Sequence, residues 1–275
     1  MASDKTALGD RMKTYEAATR AVLPRRTHTI IRVDGRRFST LLRGAERPFD
    51  QRVMDAMDMV GKALCAEASG AAFAFVQSDE CSVLLTDFAS HSTEPWYGGN
   101  VQKLVSVSAS VATAAFNATY PADVSRGSRD GYPRGLFDAR VFSVPDRWEV
   151  ANYFLWRQRD CVRNSISMAA QARFSHRRLH GVSTDQMQEL LWSEHGVNWS
   201  DYPVGCKRGR VIVRKTGGGT VTYTDRRTGT ECQKEAVRSW WEAEGAPHFV
   251  AEPGNWLDTA IPSREPHAPL AGRPG

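Results

Sequence analysis

Apolar positions along the chain follow two rhythms. Residues 28–34 (HTIIRVD) are β-branched and apolar, which predicts a buried strand. Val53, Met57, Val60 and Leu64 then recur at helical spacing, and Asp50 stands where such a helix would be capped. Residues 72–78 (AFAFVQS) and 81–86 (CSVLLT) predict two strands. Only Asp79 and Glu80 separate them, so they predict a tight hairpin. Residues 101–118 favour a helix packed through small side chains, and 121–135 read as a loop. Residues 137–144 (FDARVFSV) predict another strand. Pro145 and Asp146 open a helical stretch to about residue 173.

The order up to residue 144 is therefore β-α-β-β-α-β. This predicts an α+β fold of the ferredoxin-like, split βαβ kind: an antiparallel sheet with two helices on one face. Beyond it, residues 184–195 predict a helix closed by Gly196. Residues 209–224 predict a hairpin turning at Gly217, Gly218 and Gly219. Residues 234–243 predict a short helix carrying Trp240 and Trp241. The expected organisation is a catalytic core over 1–145, a helical and hairpin elaboration packed on it over 146–250, and a Pro- and Gly-rich disordered tail over 251–275.

Composition narrows the setting. The chain has 275 residues, 41% of them apolar, enough for a sizeable core. It has no apolar run long enough to span a membrane, and the N-terminus lacks the apolar stretch of a secretory signal. Five cysteines without close metal-ligand spacing read as reduced thiols of a cytoplasmic protein, not as a disulfide framework or a zinc site. Net charge is +5, only mildly basic. The distribution says more. Arg157, Arg159, Arg163, Arg173, His176, Arg177 and Arg178 crowd one stretch, and Lys207, Arg208 and Arg210 form a second. Such clusters suit phosphate backbones, and they equally suit solvated helix faces.

The candidate chemistry lies in three acids. In a βαββαβ sheet the first strand and the central hairpin are neighbours. Asp34, ending the first strand, then meets Asp79 and Glu80 of the hairpin. Each alone is an ordinary turn residue. Held together they repel, and a divalent cation removes the conflict. Magnesium takes oxygen ligands, typically one or two carboxylates plus substrate phosphates, and a pair of ions can clamp a phosphoryl transfer. Gly35, Arg36, Arg37, Phe38 and Ser39 follow Asp34, and their amides could cradle a triphosphate. Lys103, early on the second helix, is a candidate phosphate contact or a solvated lysine.

RVDGRRF at 32–38, QSDE at 77–80, FDARV at 137–141 and WRQRDCVRN at 156–164 occur in an order and spacing that resembles the histidine tRNA guanylyltransferase superfamily, the 3′-to-5′ polymerases. The resemblance covers roughly residues 8 to 212. It implies a catalytic domain like a polymerase palm, with magnesium on Asp34, the Gly35 carbonyl and Asp79, and with Glu80 beside them as a further acid. It implies that Asp34 to Ser39, with Ser78, Asp79 and Arg47, bind the nucleotide. Arg47 replaces the usual lysine in a run that here reads Arg47-Pro48-Phe49-Asp50. The eukaryotic run His-Ile-Asn-Asn-Leu-Tyr-Asn is replaced from Val162 by Val-Arg-Asn-Ser-Ile-Ser-Met, retaining Asn164. That departure, and FSHRRLHG at 174–181, resemble the guanylyltransferase-like branch that repairs tRNA 5′ ends.

The resemblance implies two Mg²⁺ ions, ATP and GTP or other nucleoside triphosphates as substrates, a tRNA partner and a homotetramer. Arg157, Arg163, Arg177 and Arg178, with Asn164, are the candidates for RNA contacts, and Trp148, Trp156, Trp192 and Trp199 for interfaces. The alternatives are histidine-tRNA G−1 addition, another palm-type nucleotidyltransferase such as a nucleotide cyclase, and a non-catalytic RNA-binding module.

Overall fold

A computed structural model describes residues 6–120, 135–224, 226–250 and 254–264. The expected loop at 121–135 lies almost wholly outside them. Helix α1 (Ala7–Ala17) comes first and buries none of its residues, which is why no apolar rhythm announces it. Strand β1 is His28–Gly35, and a short turn of helix α2, Phe38–Leu41, follows. Helix α3 (Gln51–Glu67) is capped by Asp50 and buries Val53, Met57, Val60 and Leu64, the spacing read from the sequence. Strands β2 (Ala71–Gln77) and β3 (Glu80–Leu85) form the central hairpin. Helix α4 (Val101–Thr119), strand β4 (Phe137–Val144) and helix α5 (Arg147–Gln171) follow. Then come α6 (His176–Leu179), α7 (Thr184–His195) and α8 (Val204–Arg208). Strands β5 (Arg210–Thr224) and β6 (Glu231–Gly245) and helix α9 (Trp256–Ala260) end the described chain.

The strands form one antiparallel sheet in the order β4-β1-β3-β2-β5-β6. Successive side chains of a strand point to opposite faces, and the two cores follow from that. Ile31, Val33, Ala74, Val76 and Val83 pack under α3 and α4. Ile30, Phe73, Phe75 and Leu84 pack on the other face under α5. Strands buried on both faces read as continuous apolar runs, as these do.

The central turn differs by one residue from expectation. Ser78 and Asp79 make it, with Ser78 at φ 45°, the positive dihedral a two-residue hairpin favours. Glu80 is the first residue of β3.

The C-terminal third needs two corrections. Residues 209–224 are not a hairpin but one long strand, and 234–243 are not a helix but its partner strand. The pairing runs unbroken from Arg210↔Gly245 to Thr224↔Glu231. Three consecutive glycines read locally as a turn. Here Gly217 instead leaves room for the Trp240 ring, which lies across it. The expected tail is also partly ordered. The Trp256 ring stacks on Phe249 and meets Phe73 edge-on, and Leu257 and Ile261 are buried. Arg147 pairs with Asp258 at 2.9 Å, and the Pro262 carbonyl accepts from His28 Nε2 at 2.9 Å. Burial of Leu257 and Ile261, with the partly buried Trp256 packed beside them, overrides the polar, Pro-rich composition around them. Residues 251–253 and 265–275 lie outside the described residues. All five cysteines are free thiols. No described helix is long and apolar enough to cross a membrane.

Candidate functional site

Two acids meet at one end of the sheet. Asp34 is the penultimate residue of β1, in register with Glu80 on β3 and Asp138 on β4. Beside it, the Gly35 N–H donates to the Asp79 carbonyl at 3.0 Å, tying the hairpin turn to the end of β1. Burial and the nearby Asp138 push the Asp34 carboxyl above its ordinary range, against the pull of Arg32, Arg140 and Arg157. Burial raises Asp79 as well, and the charge of Asp34 adds to it. Neither aspartate forms an ion pair among the described residues. Nor do three His, Cys, Asp or Glu side chains converge anywhere among them.

Glu80 faces a different set of partners. Its carboxylate accepts two bonds from Arg157, Nε at 2.8 Å and Nη2 at 2.9 Å, with Arg32 at 4.0 Å. Arg157 also reaches Asp160 at 2.7 Å. Bidentate pairing of this kind fixes both orientation and charge. Glu80 is therefore paired with protein cations and is not a free third acid. The RNA role expected of Arg157 needs correction for the same reason. Arg157 is buried, because α5 turns its Phe154–Gln158–Cys161–Ser165 stripe into the core and carries Arg157 with it. Lys207 and Arg210 are likewise buried: Lys207 bonds the Ser200 carbonyl and Arg210 pairs with Asp58.

A cleft of about 410 Å³ opens beside the turn. Ser78 and Asp79 line it, with Phe38, Ser39, Arg47, Phe49, Asp50, Asn164 and Gln171. So the structure brings six expected site residues (Phe38, Ser39, Arg47, Ser78, Asp79 and Asn164) to one concavity. The Phe38 ring is buried between Phe116 and Phe137, at centroid distances of 4.9 and 5.1 Å, so it anchors the loop and offers mainly backbone to a ligand. A side chain at Gly35 would run into that ring, which is the local reason for glycine. Arg36 and Arg37 are exposed and outside the cleft lining, and Arg37 sits at φ 56° as the chain enters α2.

Lys103 does not join this site. Strand β3 leads away from the Asp79 turn, so α4 begins at the opposite sheet end. There its first residues are bonded to the segment before β1, Val101 N–H to Ala21 and Leu23 N–H to Gly99, and Lys103 lies over the Tyr97 ring. Of the remaining candidates, Arg163 is exposed and pairs with Asp160. Arg177 is exposed on α6, and Arg178 pairs with Glu194 at 2.9 Å. Arg32 and Asp138 were missed as site residues. Arg32 precedes Asp34 by two and so shares its face, a signal the alternation of a strand carries. Asp138 needed the β1–β4 register, which no local pattern encodes.

Residues 9–145 match the family model described as tRNAHis guanylyltransferase (Thg1). The chain is similar to a bacterial tRNA(His) guanylyltransferase-like protein solved in complex with ATP: 39% identical, TM-score 0.72, covering 88% of this chain and 94% of that one. A bacterial tRNA(His) guanylyltransferase-like protein in complex with GTP is 37% identical, with a TM-score of 0.68 and the same coverage. The tRNA(His) guanylyltransferase of Neurospora crassa is 28% identical over 201 residues, 68% of this chain and 67% of that protein.

Proposed function

Because the chain belongs to the tRNAHis guanylyltransferase family of nucleotidyltransferases, we propose that it adds nucleotides in the 3′-to-5′ direction to the 5′ end of tRNA, as a magnesium-dependent, template-dependent repair enzyme. The observation that carries this reading is the Asp34–Asp79 pair, two neighbouring carboxylates of which Asp79 lines a cleft of nucleotide size. The strand order β4-β1-β3-β2 of the first 144 residues supports a ferredoxin-like, palm-type core.

The donor set fits magnesium: two hard carboxylates and the Gly35 carbonyl, with room left for water and phosphate oxygens. Bound there, two such ions would lower the pKa of the attacking hydroxyl and neutralise charge developing on the phosphates. The chain's own residues do the rest. Ser39, Arg47 and Ser78 line the cleft and hold the triphosphate, and the loop anchored by Phe38 presents its amides. The 3′-hydroxyl of the incoming nucleotide attacks the RNA's 5′ α-phosphorus. One P–O bond forms there. The bond to pyrophosphate, or to AMP on an adenylylated end, breaks, and the hydroxyl proton leaves to solvent. The complexes of similar proteins with ATP and GTP support triphosphates as substrates.

A panel of 5′-truncated tRNAs, incubated with nucleoside triphosphates and Mg²⁺ and then sequenced, tests the reading. Template-complementary extension is expected, falling at least about 10³-fold in Asp34→Asn and Asp79→Asn. Mg²⁺ should raise the melting temperature of the wild type and not of either variant. Undiminished extension by the variants would sink the metal assignment. The second reading is G−1 addition to intact tRNAHis, which the family description favours. It predicts a single guanosine added regardless of template. A cyclic or dinucleotide product without RNA would mark a different palm-type enzyme.

A further inference from the structure

Trp156 lies on α5 outside the cleft and is 54% exposed. An exposed indole is ordinarily a mobile one. This ring is braced from one side. The Arg157 guanidinium carbon sits 4.3 Å from its centroid, and Tyr153 meets it edge-on at 5.9 Å. Arg157 cannot swing away, because Glu80 and Asp160 hold it through three bonds. Glu80 in turn follows Asp79 directly and stands in register with Asp34. The plate is thus fixed relative to both acids. Trp148 and Trp192 are as exposed, but among the described residues neither carries a cation over its ring.

Exposed arginines lie further along the same helix and on the edge strand β4. Arg159 is one helical turn along α5 and Arg163 two turns along, the latter 64% exposed. Arg140, 52% exposed and 3.7 Å from the equally exposed Asp138, lies in register with Arg32 on the same sheet face as Asp34, and both Arg140 and Arg157 act on the Asp34 charge. An aromatic plate with exposed arginines along its helix is chemistry that receives a nucleobase and its phosphates. On the reading given above, the cleft lined by Asp79 takes the triphosphate. The open shelf beside Asp34 is left for the other reactant.

We propose that Trp156 is the stacking platform for the terminal base at the 5′ end of the RNA substrate, with Arg140, Arg159 and Arg163 taking the adjoining phosphates. This rests on the 5′-end reading given above.

The test uses the full-length protein and a 5′-triphosphorylated, 5′-truncated tRNA with 2-aminopurine as its first base. Binding without nucleoside triphosphates should quench the probe, because stacking on an indole does so. Trp156→Ala and Trp156→Leu should lose the quench, and the KM for RNA should rise roughly ten-fold while the KM for the triphosphate holds. Trp156→Leu keeps an apolar cover over Arg157, so it separates stacking from packing. Trp156→Phe should retain most of the quench, and Trp148→Ala all of it. The proposal is overturned if Trp156→Leu quenches like the wild type, if the KM for the triphosphate rises instead, or if the wild type extends the RNA without quenching. A wild type that quenches but extends no RNA would instead refute the repair reading and leave the platform standing.

Discussion

Asp34 and Asp79 are held under strain of charge: burial raises both carboxyls, Asp138 adds to the rise at Asp34 and Asp34 to the rise at Asp79, and no protein cation pairs with either among the described residues. Glu80 shows the contrasting solution one residue away. Its buried charge is matched by Arg157 in a bidentate pair. Removing one member of such a pair leaves the other uncompensated, which typically costs about 3–5 kcal/mol, whereas removing both costs much less. Arg157→Met is therefore expected to lower stability in urea titrations by that amount, and Arg157→Met with Glu80→Gln by clearly less. A double-variant loss equal to the sum of the separate Arg157→Met and Glu80→Gln losses would show that the pair is not coupled. The residues were legible to different degrees. The two aspartates could be picked from strand ends and turns. The inward direction of Arg157 could not, because a run of arginines on a helix looks the same in sequence whether it faces solvent or core.

At the scale of elements, α3 depends on its cap. The Asp50 carboxylate accepts from the amides of Glu46 and Arg52 at 2.8 and 3.0 Å, and from the Arg52 guanidinium at 2.6 and 3.0 Å. The Arg52 bond leads in holding its pKa down to about 2, below the ordinary 3.8. A carboxyl lowered on folding contributes stability above its unfolded pKa and loses it as pH falls through the folded one. Asp50→Ala should cost about 1–2 kcal/mol at neutral pH. The gap from the wild type should close between pH 4 and 2, read by thermal melting across that range. A gap that stays constant with pH would mean the cap acts without its charge. The same segment also lines the cleft, so the cap fixes the loop that carries Arg47. This helix was fully readable from its spacing and cap. The long β5–β6 pair was not, because Gly217 to Gly219 and the adjacent Trp240 and Trp241 were weighed locally. Their partners lie across a turn in the sequence, and strand pairing is a non-local contact.

Across the whole molecule the sheet is continuous. Strand β2 hydrogen-bonds to β5, so residues beyond 145 share the sheet of the first 144. Helix α5 closes the second face and carries Arg157 to Glu80, with the Trp156 ring stacked on that arginine. The outer half of the β5–β6 pair bears exposed Tyr223, Val237 and Trp240. A homotetramer, the assembly expected from the family resemblance, would give that arm a place to pack. Light scattering is expected to report a tetramer, and deletion of residues 217–238 a smaller species. A wild-type monomer, or a tetramer that survives the deletion, would refute the arrangement. What the sequence determined by itself was local: which segments are strands or helices where periodicity is strong, where α3 begins, and which acids stand at strand ends. The tertiary structure alone decided which charges face each other. Register set Asp34 beside Glu80 and Asp138, helix packing turned Arg157 inward and left Trp156 out, and strand direction carried Lys103 to the far end. Periodicity is written in neighbouring residues, but burial and charge pairing arise between residues that only folding makes neighbours.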